Sequence, residues 1–309
     1  MKRRKFNTLL AAATSSVMLT SFNNRSPKKL KKHKISLAQW SLNDTINAEK
    51  KLNPIDFAKK AHELGFDAIE YVSTFYNKFL EGNSTKKLTR ILNQNSTDFN
   101  IKNLLIMVDG EGDLASSDRS KIKKSVDKHK KWIEAAHGLG CHSIRVNLRG
   151  EENTEKWKEN STIGLTSLCE FANNFGINII VENHGGQSSN GKALAEVMKN
   201  VNLKNCGTLP DFGNFCVKRK NNSRFGGECE IEYDKYQGVR DLMPYAKAVS
   251  AKSYDFDNLG EETTIDFKKM IDILKEFKYE GYIGIEYEGK RLSEIMGIEL
   301  TKNLIQKYI

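Results

Sequence analysis

The chain has 309 residues, 39% hydrophobic and 28% charged, enough to bury a large core in one large domain or two small ones. Its formal net charge of +10 comes from the first 34 residues, where ten basic side chains meet no acid; beyond them 39 basic residues face 39 acidic ones. A neutral body removes the electrostatic case for a nucleic-acid partner.

Residues 1–33 read as an export signal and basic linker. A basic start precedes the small, apolar stretch Leu9 to Leu19, and a polar Ser/Asn segment follows it. Arg3-Arg4-Lys5-Phe6-Asn7 resembles a twin-arginine signal, which predicts export to the periplasm. The apolar core is too short for a permanent membrane span, and the leader has no cysteine for a lipoprotein anchor. Cys141, Cys169, Cys206, Cys216 and Cys229 are odd in number, with no C-x-x-C pair among them, so a disulfide framework or zinc ribbon is not expected. A single bridge in an oxidising compartment stays open.

From residue 34 to residue 309, strand and helix patterns alternate. Ile35–Ser41 is the first strand, and Pro54 opens a helix that stops at Gly65. Phe66–Tyr71 is the second strand, and a helix over Lys86–Asn95 leads to the third, Ile101–Val108. The long amphipathic helix Ser117–Leu139 precedes strand four, Ser143–Asn147; helix Ile163–Phe175 precedes strand five, Ile177–Glu182. Helix Gly191–Asn200 precedes strand six, near Cys206–Asp211, and residues 212–233, without periodicity, read as a long loop. Helix Tyr233–Met243, strand seven at Ala246–Lys252, helix Asp266–Phe277, strand eight at Tyr282–Glu286 and a closing helix Leu292–Tyr308 complete the series. Eight such pairs predict an α/β fold, a single (β/α)8 TIM barrel with its site at the C-terminal ends of the strands.

Three of those ends are acidic. Glu182, Asp211 and Glu286 each close a short apolar run, which places three carboxylates at one rim, where they would repel one another without a cation. His184, two residues beyond Glu182, shares its side if the strand continues that far. One divalent metal ion is therefore expected on Glu182, Asp211, Glu286 and His184: Mn²⁺ or Mg²⁺ on the oxygens, with Zn²⁺ or Co²⁺ tolerated through the histidine.

These segments also resemble a known group. Val181-Glu182-Asn183-His184-Gly185-Gly186, Leu209-Pro210-Asp211-Phe212-Gly213-Asn214-Phe215, Ala248-Val249-Ser250-Ala251-Lys252 and Gly284-Ile285-Glu286-Tyr287-Glu288-Gly289 are similar to motifs of the xylose-isomerase-like barrel superfamily, the sugar phosphate isomerases and epimerases. The resemblance runs from about residue 34 to the C-terminus. It implies one divalent metal held by Glu, Asp, His and Glu, of which Glu182, Asp211 and Glu286 match three. Where the family commonly has a histidine on strand seven this chain has Ser250, and the family's Asp-x-x-His is Asp211-x-x-Asn214.

The activity so implied is isomerisation or epimerisation of a sugar, with Glu182 and Glu286 exchanging the proton next to a carbonyl through an enediolate. Lys252, at strand spacing from Ser250, is a candidate for oxyanion stabilisation or proton donation. Arg145, Asn147, Glu70 and His184 are candidate substrate contacts, and Trp40 a candidate platform for a sugar ring. His62, His129 and His137 lie on helices and read as surface or packing residues. Export favours a non-phosphorylated carbohydrate as the small-molecule partner. Elimination on a keto-glycoside starts with the same proton abstraction, and a non-catalytic sugar-binding relative is a further alternative. A multi-zinc DNA-repair enzyme on this barrel would need more histidines at strand ends. A homo-oligomer is compatible with all of these readings.

Overall fold

The computed structural model describes residues 34–220, 223 and 226–309; the expected export signal lies outside them. Eight parallel strands build the barrel: β1 (Ile35–Ala38), β2 (Ala68–Val72), β3 (Lys102–Met107), β4 (Ser143–Val146), β5 (Asn178–Glu182), β6 (Cys206–Leu209), β9 (Val249–Ser253) and β10 (Ile283–Tyr287). Their hydrogen-bonded order is β6-β5-β4-β3-β2-β1-β10-β9. Isolated parallel bridges, Thr208 with Ala246 and Asp211 with Ser250, join the two ends of the sheet. The protein is thus a (β/α)8 TIM barrel.

Helices wrap the outside: α1 (Phe57–Glu63), α2 (Asn77–Leu80), α3 (Thr85–Asp98), α4 (Arg119–Gly138), α5 (Thr154–Asn173), α6 (Gly191–Val201), α7 (Lys235–Leu242), α8 (Phe267–Glu276) and α9 (Glu294–Tyr308). Local chemistry sets where they begin. Ser84, Asp118, Asn153, Asn190, Asp234, Asp266 and Ser293 each accept a backbone N–H from the first turn of the helix that follows. Asn153 starts α5 nine residues ahead of the apolar pattern, because its first turns, Thr154 to Ser161, are polar apart from Trp157.

Two strands end sooner than their sequence suggests. β1 stops at Ala38 and turns into a 3-10 helix over Gln39–Leu42, where Gln39 accepts from Val72 N and donates to Tyr76 Oη. β6 stops at Leu209 because Pro210 has no N–H for the ladder. Asp211 is then held by the bridge to Ser250 and by the side chain of Asn183, which bonds its N–H and C=O.

The expected loop over residues 212–233 is in part an antiparallel hairpin. β7 (Cys216–Arg219) pairs with β8 (Cys229–Glu232), and a disulfide joins Cys216 to Cys229. With four residues per strand and side chains that are half-buried or exposed, the hairpin carries too little apolar alternation to be read as strand, and the cross-link supplies what burial does not. Cys141 and Cys169 are buried free thiols, and Cys206 is half-buried. No helix among the described residues is long and apolar enough to cross a membrane.

Candidate functional site

Parallel pairing carries the three acidic strand ends to one level. Glu286 on β10 is in register with Lys252 on β9, Glu182 on β5 with Leu209 on β6, and Asp211 bridges Ser250. One carboxylate oxygen from each of Glu182, Asp211 and Glu286 lies within 4.8 Å of the other two, and all three residues are buried. Residues 29 to 104 positions apart thereby meet in one cluster, as their positions at the strand ends predict.

Each carboxylate is oriented by neighbours. Ser250 Oγ donates to Asp211 Oδ2 at 2.6 Å and lies 3.2 Å from Glu286 Oε2. The N–H groups of Gly213 and Asn214 donate to Asp211 Oδ1, and Asn214 Nδ2 donates to Glu182 Oε1. Lys252 Nζ stands 3.0 Å from Glu286 Oε1, 3.2 Å from Glu288 Oε1 and 3.7 Å from Asp211 Oδ2. On the other side Arg145 binds Asp109 through Nη1 at 2.8 Å. Its Nε lies 2.8 Å from Glu182 Oε2, yet neither atom makes an aligned hydrogen bond. The two charges attract without the N–H pointing at the oxygen, so that oxygen keeps a lone pair for another cation.

The electrostatics favour such a cation. Burial pushes Asp211 up to about 8 against the pull of Lys252, and Glu182 and Glu286 push it further. Burial also raises Glu286, with Lys252 opposing. Lys252 itself would be lowered by burial but is held well above its ordinary value by Asp211, Glu286 and Glu288. Four carboxylates, Glu182, Asp211, Glu286 and Glu288, thus face two internal cations, Lys252 and Arg145, and Arg145 is shared with Asp109. The excess negative charge fits one divalent ion on Glu182, Asp211 and Glu286.

His184 is not part of that cluster. β5 ends at Glu182; Asn183 then turns inward, donates to Asp211 O and accepts from Asp211 N, which breaks the alternation on which the expectation rested. His184 Nδ1 instead faces Asn147 Oδ1 at 2.9 Å and Arg149 Nη2 at 3.0 Å. Burial, with the Arg145 and Lys252 charges, lowers its pKa to about 3, so the ring is neutral near pH 7. Asn147 in turn donates to Asp109 Oδ1. Asp109, which burial alone would raise, is brought down to about 2 by Arg145 and His184.

A cavity of about 860 Å³ opens above this floor, and Trp40, Arg145, Asn147, His184 and Glu286 reach its wall. Glu182, Asp211 and Lys252 lie behind that wall. Glu70 does not reach it either: its side chain points into the barrel, where Ser36 Oγ donates to Oε1 at 2.6 Å. A Cβ on Gly284 would stand 2.4 Å from the same oxygen, so the glycine of strand eight makes room for Glu70. The residue is fully buried, and burial lifts its pKa to about 7. Glu70, expected as a substrate contact, thus stands inside the barrel and not on the cavity wall.

Several wall residues had weaker sequence signals. Arg149 continues the alternation of Arg145 and Asn147, and Glu288 continues that of Glu286; both line the cavity. His129, on α4, is a packing residue that also lines the cavity, with Nδ1 at 2.7 Å from Ser125 O. Arg219, on the hairpin, lines the mouth, and no periodicity marks it.

Comparisons with known proteins agree with this fold. Among solved structures, the chain is similar to an IolI protein with bound zinc (TM-score 0.66, 17% identity, 89% of this chain and 99% of that one). It is also similar to 3-keto-D-glucoside 4-epimerase, YcjR, from E. coli (0.64, 14%, 89% and 100%). A third such structure is the D-allulose 3-epimerase from Methylomonas sp. (0.67, 14%, 90% and 98%). At these identities the likeness shows the fold. An uncharacterized protein, MJ1311, of Methanocaldococcus jannaschii is 28% identical over 156 residues; the match spans 49% of this chain and 49% of that relative. The profile of the xylose isomerase-like TIM barrel family matches residues 58–306, and with most of the barrel so covered, the chain belongs to that family.

Proposed function

We propose that the protein is a divalent-metal-dependent sugar isomerase or epimerase that moves a proton next to a carbonyl by means of carboxylates. The observation that carries this reading is the convergence of Glu182, Asp211 and Glu286 within 4.8 Å beneath the cavity. Epimerases among the similar structures support the reaction class. Glu182, Asp211 and Glu286 would hold the ion, and an all-oxygen donor set favours Mn²⁺ or Mg²⁺. When bound, the ion supplies Lewis-acid polarisation of the substrate carbonyl.

The chain's own residues do the rest. Glu286 is the one carboxylate of the three on the cavity wall, which makes it the base that meets the substrate carbon first. Glu182 is the second proton carrier, its Oε1 oriented by Asn214 and its charge balanced by Arg145. Lys252 offsets part of the burial cost of Glu286 and brings positive charge to bear on a developing oxyanion. The chain Arg145–Asp109–Asn147–His184 presents donors and acceptors in fixed order for hydroxyl groups. The export-like leader supports a non-phosphorylated sugar and a periplasmic setting.

A second reading rests on the same lysine. Once Glu286 holds the α-proton, elimination from a keto-glycoside needs a second proton on the leaving oxygen, and the Lys252 ammonium 3.0 Å from the base is an acid in position to supply it. The test is incubation of the Mn²⁺-loaded protein with ketoses and 3-keto-glucosides in D₂O, followed by NMR. Deuterium at the carbon next to the carbonyl with the skeleton intact supports the epimerase, release of the aglycone supports the lyase, and no exchange on any substrate refutes both.

A further inference from the structure

We propose that the pocket is built for a substrate of two linked units, a glycoside or disaccharide rather than a lone monosaccharide, with Arg219 contacting the outer unit. This rests on the reading of the carboxylate centre as a carbohydrate site and specifies its substrate class. Size is the first argument. The cavity of about 860 Å³ lies near the upper end of the roughly 300–1,000 Å³ that encloses a drug-sized molecule, and a single sugar ring is much smaller than that. A monosaccharide whose reacting carbon faces Glu286 would leave the mouth, where Asp44, Arg219 and Lys290 stand, without a substrate contact.

The mouth is also built from parts that hold still. On one side Trp40 stacks on Phe75, with centroids 5.6 Å apart and planes at 20°. Glu294 closes the neighbouring backbone by accepting the N–H of Asp44 at 2.6 Å and of Thr45 at 3.1 Å. The other contribution is the hairpin inserted directly after Asp211. A two-stranded hairpin is marginal by itself, and here the Cys216–Cys229 bond cross-links its strands while Tyr233 N donates to Phe215 O at its base. Arg219 spends one donor on Gly227 O at 3.1 Å, which fixes the guanidinium along the hairpin; its five N–H groups leave others for sugar hydroxyls. An aromatic face and a planar multiple donor are the components that sugar rings and their hydroxyls engage.

The test is calorimetric titration of the full-length, Mn²⁺-loaded protein with matched probes: glucose against methyl glucoside, maltose, cellobiose, trehalose and p-nitrophenyl glucoside. At least one two-unit probe should bind ten-fold or more tightly than glucose. In Arg219→Ala, and in Cys216→Ser/Cys229→Ser, that ratio should fall at least five-fold toward one. Glucose binding as tightly as every two-unit probe, or an unchanged ratio in Arg219→Ala, overturns the two-unit pocket and leaves the carboxylate reading standing. A protein that binds none of the probes and exchanges no α-proton overturns both.

Discussion

Ser250 Oγ donates to Asp211 Oδ2 at 2.6 Å and approaches Glu286 Oε2 at 3.2 Å, so a hydroxyl occupies the strand position where the family resemblance implies a histidine. It organises two carboxylates and takes up little volume. Ser250→Ala removes the donor and should weaken Mn²⁺ binding about ten-fold, the usual scale for losing a group that orients a ligand. Ser250→His adds a nitrogen ligand and should shift preference from Mn²⁺ toward Zn²⁺. Competitive titration with a metal indicator measures both; equal affinities in all three proteins would deny Ser250 this role.

Metal content tests the cluster directly. The purified protein should carry about one divalent ion per chain after equilibration with Mn²⁺, and Glu182→Gln or Glu286→Gln should carry far less while remaining folded, because losing one anion from a crowded group relieves repulsion. Elemental analysis alongside circular dichroism decides it. Variants that retain full stoichiometry would mean the carboxylates are not the ligands.

Lys252 is 1% exposed and sits among Glu286, Glu288 and Asp211. Lys252→Met leaves those anions uncompensated, and breaking a buried ionic cluster costs about 3–5 kcal/mol. Urea unfolding in EDTA should show a loss of that size, and saturating Mn²⁺ should recover part of it. A variant as stable as the parent in EDTA would show that the lysine is not balancing the cluster.

Glu70 governs a pH effect. Its folded pKa of about 7 lies above the ordinary 4.5, so between those values the folded protein holds a proton that the unfolded chain releases. Stability therefore falls as pH rises through this window, and the cost levels off above it. Glu70→Gln removes the cost: in EDTA it should match the parent near pH 4.5 and exceed it near pH 8 by at most about 3 kcal/mol. Parallel pH profiles of the two proteins would refute this assignment.

The bridge Cys216–Cys229 predicts a thiol count. Of five cysteines, three should react with a thiol reagent in urea without reductant, and all five after reduction. Five reactive thiols in protein isolated from an oxidising compartment would exclude the cross-link.

The barrel was legible in the chain because its signals are local: apolar runs of strand length, the helix start at Pro54 and the stop at Gly65 act within a few residues of where they stand. The carboxylate cluster was legible for the same reason, since closing a parallel strand fixes both the end and the level of a side chain. Alternation also pointed Arg145 and Asn147 toward the rim, where they line the cavity. That inference holds only while the strand lasts. It does not carry to His184, which lies outside the carboxylate cluster where Asn183 turns in to bond Asp211, or to Glu70, whose side chain packs against Gly284 inside the barrel.

By itself, then, the sequence determined the strand-helix alternation, the acidic strand ends and the neutrality of the body, all of which follow from composition and short-range period. Only the tertiary structure decided that Lys252 and Arg145 stand against those carboxylates, that Ser250 joins Asp211 to Glu286, and that a disulfide-held hairpin brings Arg219 to the mouth. These are contacts between distant segments, set by strand register and barrel closure rather than by any pattern within a single segment.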